Sequence, residues 1–304
     1  MKLSLILLTF LLCGSCATRG FELQKEQKIS PVQRQIPVPF MAQEAYHCGP
    51  AALAMVSGHL GKKIEASEVS KLLYSPSSKG TFQNHLLSAA RRLGFVAVPV
   101  STSEDLLVEL SRGNPVLVFQ NLGLSWYPKW HYALVVGYDL KRDELILHSG
   151  KVENLRQKIS SFERTWKKAG NWALVIVKPG TLVSTAPEAS MVTATAGLEL
   201  AGHAEPARLS YEKILGHWPG SLGSLVGLGN ICYQLGEVRM AKGFLAEATR
   251  LHPQASGAWY NYAVVLLAVK ERQLAKRAIE KAIEFTDPDS ARVFRNDFKD
   301  ILTD

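Results

Sequence analysis

Cys48 stands in the run Gln43-Glu44-Ala45-Tyr46-His47-Cys48-Gly49-Pro50-Ala51-Ala52-Leu53. The apolar, alanine-rich stretch after it predicts a helix that the thiol opens. Unpaired backbone N–H groups and the helix dipole favour the thiolate there, and the thiolate is the reactive form of cysteine. Pro50 suits the first helical turn, where its missing N–H costs nothing. Such a thiol can attack a carbonyl if three other parts are present: a base within hydrogen-bond reach, a group that orients the base, and donors for the oxyanion. His131 is the best base, at the mouth of the apolar run Tyr132-Ala133-Leu134-Val135-Val136-Gly137-Tyr138.

These groups need a scaffold, and the pattern around them supplies one. The helix from Cys48 runs to about Leu60. Ser67 opens a short helix through Leu73, and Thr81 caps one from Phe82 to Leu93, closed by Gly94. A strand follows at Phe95–Val100, then a helix from Ser103 to about Arg112-Gly113. The β-branched, apolar runs Pro115–Gln120, Tyr132–Tyr138, Leu145–Leu147 and Trp172–Val177 read as strands, and Asp139–Glu144 reads as a hairpin turn. Helices first and a mostly antiparallel sheet second make an α+β domain over residues 37–178.

The chain has 304 residues, enough for about two domains. Its formal net charge is +8. The basic residues are scattered, with no stripe and no base-stacking motif, so they read as a solvated surface and nucleic acid is not an expected partner. Residues 1–16 read as a signal peptide: a positive start, an apolar stretch from Leu3 to Leu12 too short to span a bilayer, then small residues. Gly14-Ser15 before Cys16 resembles the lipobox of bacterial lipoproteins, in which the Cys becomes the new N-terminus and carries lipid; Cys13 stands where Leu is usual, and a plain secretory signal is the other reading. Ala17, rather than Asp, favours the outer membrane, facing the periplasm. Residues 17–36 are polar and read as a tether. Residues 179–192 form a linker, and 193–304 are helical and repetitive. Ala207, Ala241 and Ala275 are 34 residues apart, as are Ala248 and Ala282, Pro219 and Pro253, and Gly202 and Gly236. That is the tetratricopeptide period, and such repeats form concave surfaces that hold protein partners. Cys232 falls at a core position of the second repeat, which leaves Cys48 as the thiol without a structural task.

Gln43, Cys48-Gly49-Pro50 and His131-Tyr132-Ala133-Leu134-Val135-Val136-Gly137-Tyr138-Asp139 together resemble the papain-like peptidase domain of the bacteriocin-processing family, which cuts leader peptides after a double glycine. The resemblance covers about residues 36–178. It implies Cys48 as nucleophile, His131 as base, and Gln43 with the Cys48 backbone N–H as oxyanion donors. The family usually places an Asp on the strand after the hairpin to hold the His. His148, in Leu145-Ile146-Leu147-His148-Ser149-Gly150, is expected at that position. A neutral His can accept a hydrogen bond from His131 but cannot stabilise an imidazolium as a carboxylate does. The site then reads as a weakly oriented Cys-His dyad, a slow enzyme, or a domain that only binds. Trp126, Tyr127 and Trp130 form either a substrate wall or a cap on the sheet edge. No residue spacing resembles a metal site or a phosphate-binding loop, so no metal and no cofactor is expected. The fold expected is thus an α+β papain-like cysteine peptidase domain followed by an all-α tetratricopeptide repeat domain. The function expected is an exported, lipid-anchored cysteine peptidase in the cell envelope, acting on a peptide or protein substrate and recruiting a protein partner through the repeats. The alternative is a non-catalytic, peptidase-like binding module acting as an envelope scaffold.

Overall fold

A computed structural model of the chain describes residues 29–33, 35–42, 48–73 and 81–303. The signal, most of the tether, Gln43, His47 and the lipidation candidate Cys16 lie outside the described residues. The chain forms two compact units, one containing 97–176 with the residues up to 89, the other 90–96 with 177–304.

In the first unit, α1 (Cys48–His59) is buried along nearly its whole length, from Gly49 to Ser57. A helix buried on all sides carries apolar and small residues all round, which is why its sequence shows no polar face. Ser57 Oγ donates to Leu53 O (2.9 Å), so its hydroxyl is satisfied inside the core. The segment before the helix runs across it. A Cβ on Gly58 would lie 2.7 Å from Pro39 Cγ. Helices α2 (Ala66–Leu73), α3 (Gln83–Arg92) and α4 (Ser103–Ser111) follow.

The strands are β1 (Val32–Gln33), β2 (Val96–Val100), β3 (Val116–Asn121), β4 (Trp130–Asp139), β5 (Glu144–Ser149), β6 (Val152–Lys158) and β7 (Ala173–Val177). They form one sheet in the order β2-β7-β3-β4-β5-β6, with β1 also paired to β4. β4 is the longest strand, antiparallel to β3, β5 and β1. Its residues from Tyr132 to Tyr138 are all buried, as the unbroken apolar run requires. The pattern reading did not foresee β6 or α5 (Ile159–Lys167). β6 is an edge strand without a buried face, so it has no hydrophobic alternation to read. α5 does carry a signal: Phe162 and Trp166, four apart, share one buried helix face.

The second unit is a stack of helix pairs: α6 (Glu188–Leu200) with α7 (Ala204–His217), α8 (Leu222–Gln234) with α9 (Val238–Leu251), and α10 (Ser256–Ala268) with α11 (Arg272–Glu284). Each pair starts 34 residues after the one before. α6 begins at Glu188, inside the stretch expected to be linker, because its Ser, Thr and Ala residues pack closely instead of forming a large apolar stripe. A Cβ on Gly223 would collide with Val192. Ala207, Ala241, Ala275, Ala248 and Ala282 are fully buried where helices cross. The ion pair Arg208–Glu237 recurs one period later as Lys242–Glu271. α12 (Pro288–Asp297) and α13 (Lys299–Leu302) close the stack, with Phe298 packed on the core around Leu266 and Ile279.

The turn within each pair needs a left-handed residue. Gly202 (φ +88°) and Gly236 (φ +79°) supply it, and the third pair uses Lys270 (φ 64°). A side chain costs roughly 1–2 kcal/mol in that conformation, against about 0.5–1 kcal/mol for the extra chain entropy of glycine. Lys270→Gly is therefore expected to stabilise the repeat unit by about 0.5–1 kcal/mol, and Gly236→Ala to destabilise it by a similar amount. Urea unfolding followed by circular dichroism reads both.

Candidate active site

Cys48 opens α1 as a free, partly exposed thiol. Its neighbour Gly49 packs on Thr81, to which a Cβ would approach within 3.1 Å. The carbonyl of Thr81 in turn accepts the hydroxyl of Tyr132 (2.8 Å). Burial raises the pKa of Tyr132 and the charge of Cys48 raises it further, so the thiol lies within electrostatic reach of this ring. Tyr132 directly follows His131 on β4. Thr81 is thus the joint that brings the start of α1 to the start of β4. Among the described residues no hydrogen bond joins Cys48 to His131.

His131 is held instead by β5. Its Nε2 lies 2.9 Å from Ser149 Oγ. Burial lowers the pKa of the imidazole and the ammonium of Lys129 lowers it further, so His131 is neutral near pH 7, the form a general base needs. The serine hydroxyl can donate or accept, and it adds no charge to favour the imidazolium.

His148 does not orient His131, contrary to the expectation from sequence. It is fully buried, with Nε2 3.4 Å from Val38 O and Nδ1 3.3 Å from the backbone N of Asn154. The Asn154 N–H can only donate, so Nδ1 accepts and the proton sits on Nε2, bonded to the Val38 carbonyl. Burial lowers the pKa of this ring too. Phe40 meets it edge to face at 5.3 Å. His148 therefore fastens the 36–40 segment to the sheet.

The reason lies in the strand register. At the hairpin, Asp139 pairs with Glu144 and Gly137 with Ile146. Continued without a break, that register puts His148 on the face of His131. A β-bulge intervenes: Val135 pairs with Leu147 and Leu134 with His148, so Val136 is an extra residue on β4. Facing residues alternate with a period of two, so one added residue moves every later partner to the other face. Ser149 thereby joins His131, and His148 turns into the core with Leu134. The carbonyl freed at the bulge is not orphaned, since Ile36 N donates to Val136 O at 2.7 Å. Gly137, a glycine inside a strand, was the sequence signal for the bulge.

Of the aromatics before His131, Trp130 stacks on Phe119 with ring centroids 5.2 Å apart, while Trp126 and Tyr127 stand exposed. Among the described residues no His, Cys, Asp and Glu side chains cluster to hold a metal ion, and no helix is long and apolar enough to cross a membrane.

His148→Ala is expected to destabilise the fold by roughly 2–4 kcal/mol, from a lost buried ring and two orphaned backbone groups, while leaving the titration of His131 in place. Ser149→Asp is expected to raise the pKa of His131, because a carboxylate favours the imidazolium. Imidazole NMR titrations of the two variants check both outcomes.

Among solved structures, the peptidase domain of ComA from Streptococcus, a bi-functional ABC transporter involved in a quorum sensing pathway, matches at 22% identity and a TM-score of 0.39 over 47% of this chain and 98% of its own. A putative C39-like peptidase from Bacillus anthracis matches at 18% identity and a TM-score of 0.41, over 46% of this chain and 94% of its own. The first tetratricopeptide repeat domain of Spaghetti (RPAP3), bound to an HSP90 peptide, matches at 14% identity and a TM-score of 0.33, over 37% of this chain and 95% of its own. No curated protein matches the sequence. Residues 35–174 match the model of the Peptidase_C39 like family, nearly the same stretch over which the sequence resembles the bacteriocin-processing peptidases.

Proposed function

We propose that the sheet unit is a thiol hydrolase acting on peptide or other amide carbonyls. Cys48 Sγ adds to the carbonyl carbon as His131 takes the thiol proton. The oxyanion accepts from the Cys48 backbone N–H and from the amide of Gln43. Collapse expels the amine, which leaves with the proton from His131, and a thioester remains. Water then attacks the thioester, giving its proton to His131, and the carboxylic acid departs as the thiol is restored. Ser149 holds the ring through both halves. The observation that carries this reading is the free thiol at a helix start, beside the residue that follows a neutral imidazole held by hydrogen bond. We further propose that Cys16 carries a lipid at the outer membrane and that the repeats recruit a protein partner on their concave side. A second reading, a binding module with a peptidase-like cleft, draws on the neutral partner of His131 and on the missing Cys48–His131 hydrogen bond. Hydrogen bonds of this kind often tighten only when substrate arrives.

Alkylation of the purified chain with a peptide-like thiol electrophile separates the two. Mass mapping is expected to place the label on Cys48 and not on Cys232, whose burial pushes its thiol up to about 11. His131→Ala should slow labelling by about 100-fold. Protonation abolishes the base, and a lowered pKa moves that loss to lower pH. The His131-dependent part should therefore persist below the usual histidine value of about 6.5. Labelling no faster than a free thiol and indifferent to His131 would support the binding module instead.

A further inference from the structure

Between β3 and β4 the surface is built against the usual pattern. Trp126 is 80% exposed and Tyr127 73%, and Leu122, Leu124 and Trp130 are exposed as well. Single exposed apolar residues are ordinary, but a contiguous patch marks a contact surface. The loop that carries them is not slack. Asn121 is only 2% exposed. Its Oδ1 accepts from the backbone N–H groups of Gly123 and Lys129, each at 2.9 Å, and its Nδ2 donates to Leu124 O at 3.4 Å. Leu122 N donates to Lys129 O, and Leu124 and Tyr127 exchange backbone bonds. Lys168 Nζ donates to Gly123 O at 3.0 Å. A Cβ on Gly123 would fall 2.7 Å from Lys129 N and collide with the Tyr127 carbonyl. One buried amide and one glycine thus fix a rigid loop whose aromatic rings face solvent. A backbone fixed in advance lets its aromatic side chains bind with less loss of entropy than those of a slack loop.

The position of the loop selects its occupant. It ends at Trp130, stacked on Phe119 and adjacent to His131. In the mechanism above His131 protonates the departing amine. The chain on the leaving side of the scissile bond therefore lies on the His131 side. We propose that Trp126, Tyr127 and Trp130 form a subsite for large apolar side chains just after the scissile bond, so that the preferred substrate is a polypeptide apolar on its leaving side. This rests on the hydrolase reading. A lipid surface is the other partner that exposed Trp and Tyr side chains take. Strand direction disfavours it: Val32 pairs with Asp139, so the chain from the N-terminal side enters at the end of β4 opposite the loop.

Two short labelled peptides test the proposal, one with Leu-Phe-Leu after a central Ala-Ala and Ser-Gln-Ser before it, the other with the two flanks exchanged. Fluorescence anisotropy on the full chain carrying Cys48→Ala is expected to show about tenfold tighter binding of the first peptide. That preference should vanish with Trp126→Ala plus Tyr127→Ala. It should weaken with Asn121→Ala, which loosens the loop and keeps every ring; circular dichroism confirms that each variant is folded. On the wild-type chain the first peptide should also protect Cys48 from iodoacetamide. Equal binding of the two peptides, binding indifferent to the loop variants, or binding without protection overturns the proposal. Loop-dependent sedimentation with vesicles of three parts phosphatidylcholine to one part phosphatidylglycerol, without peptide selectivity, overturns it in favour of lipid. Selective, protective binding on a chain whose labelling ignores His131 would keep the subsite and remove the hydrolase.

Discussion

The site depends on one irregularity in a ladder, the extra residue Val136 in β4. Every group around the imidazole is set by which face of the sheet it occupies, and the bulge decides the face. On one side of it the hairpin runs in the register fixed by the Asp139–Glu144 turn; on the other, the register is displaced by one. The cost of a bulge is an unpaired backbone carbonyl, and here the 36–40 segment supplies the donor through Ile36. The same segment receives the proton of His148 on Val38 and crosses α1 at Gly58. The bulge, the buried histidine and the helix that Cys48 opens are therefore one mechanical system. The segment that binds them together comes from outside the sheet.

The chemistry of His131 follows from this placement. A carboxylate beside the imidazole would pull protons onto it and favour a thiolate–imidazolium pair before substrate binds. A hydroxyl fixes the ring without that pull, while burial and Lys129 push the proton off. In the proposed reaction the imidazole therefore starts neutral and is free to accept a proton.

Much of this was legible in the sequence, and the exceptions have physical causes. The Cys48 helix, the β4 run and the 34-residue period announce themselves because each buries apolar residues with a fixed spacing. β6 escaped because an edge strand need not bury either face. The start of α6 escaped because small residues that pack closely look like linker. His148 was expected beside His131 because the resemblance places the orienting group on the strand after the hairpin, and that placement carries over only where the register is unbroken. Gly137 was the visible warning. Asn121 escaped because a buried amide that holds a loop from within has no pattern in sequence beyond its own position.

β4 joins these elements. Its first residue, Trp130, ends the aromatic loop and its second is the candidate base; its middle carries the bulge; its last, Asp139, pairs with the strand nearest the N-terminus. A polypeptide strand buried from Tyr132 to Tyr138 is nearly rigid, so what happens at one end is transmitted as position and not as motion. Trp130 and His131 are thus held in a fixed relation by β4, and Ser149 meets the imidazole from the neighbouring strand β5. The proposed selection of a substrate by the rings and the alignment of the imidazole by Ser149 need no conformational change to couple them, because the paired strands β4 and β5 already set both.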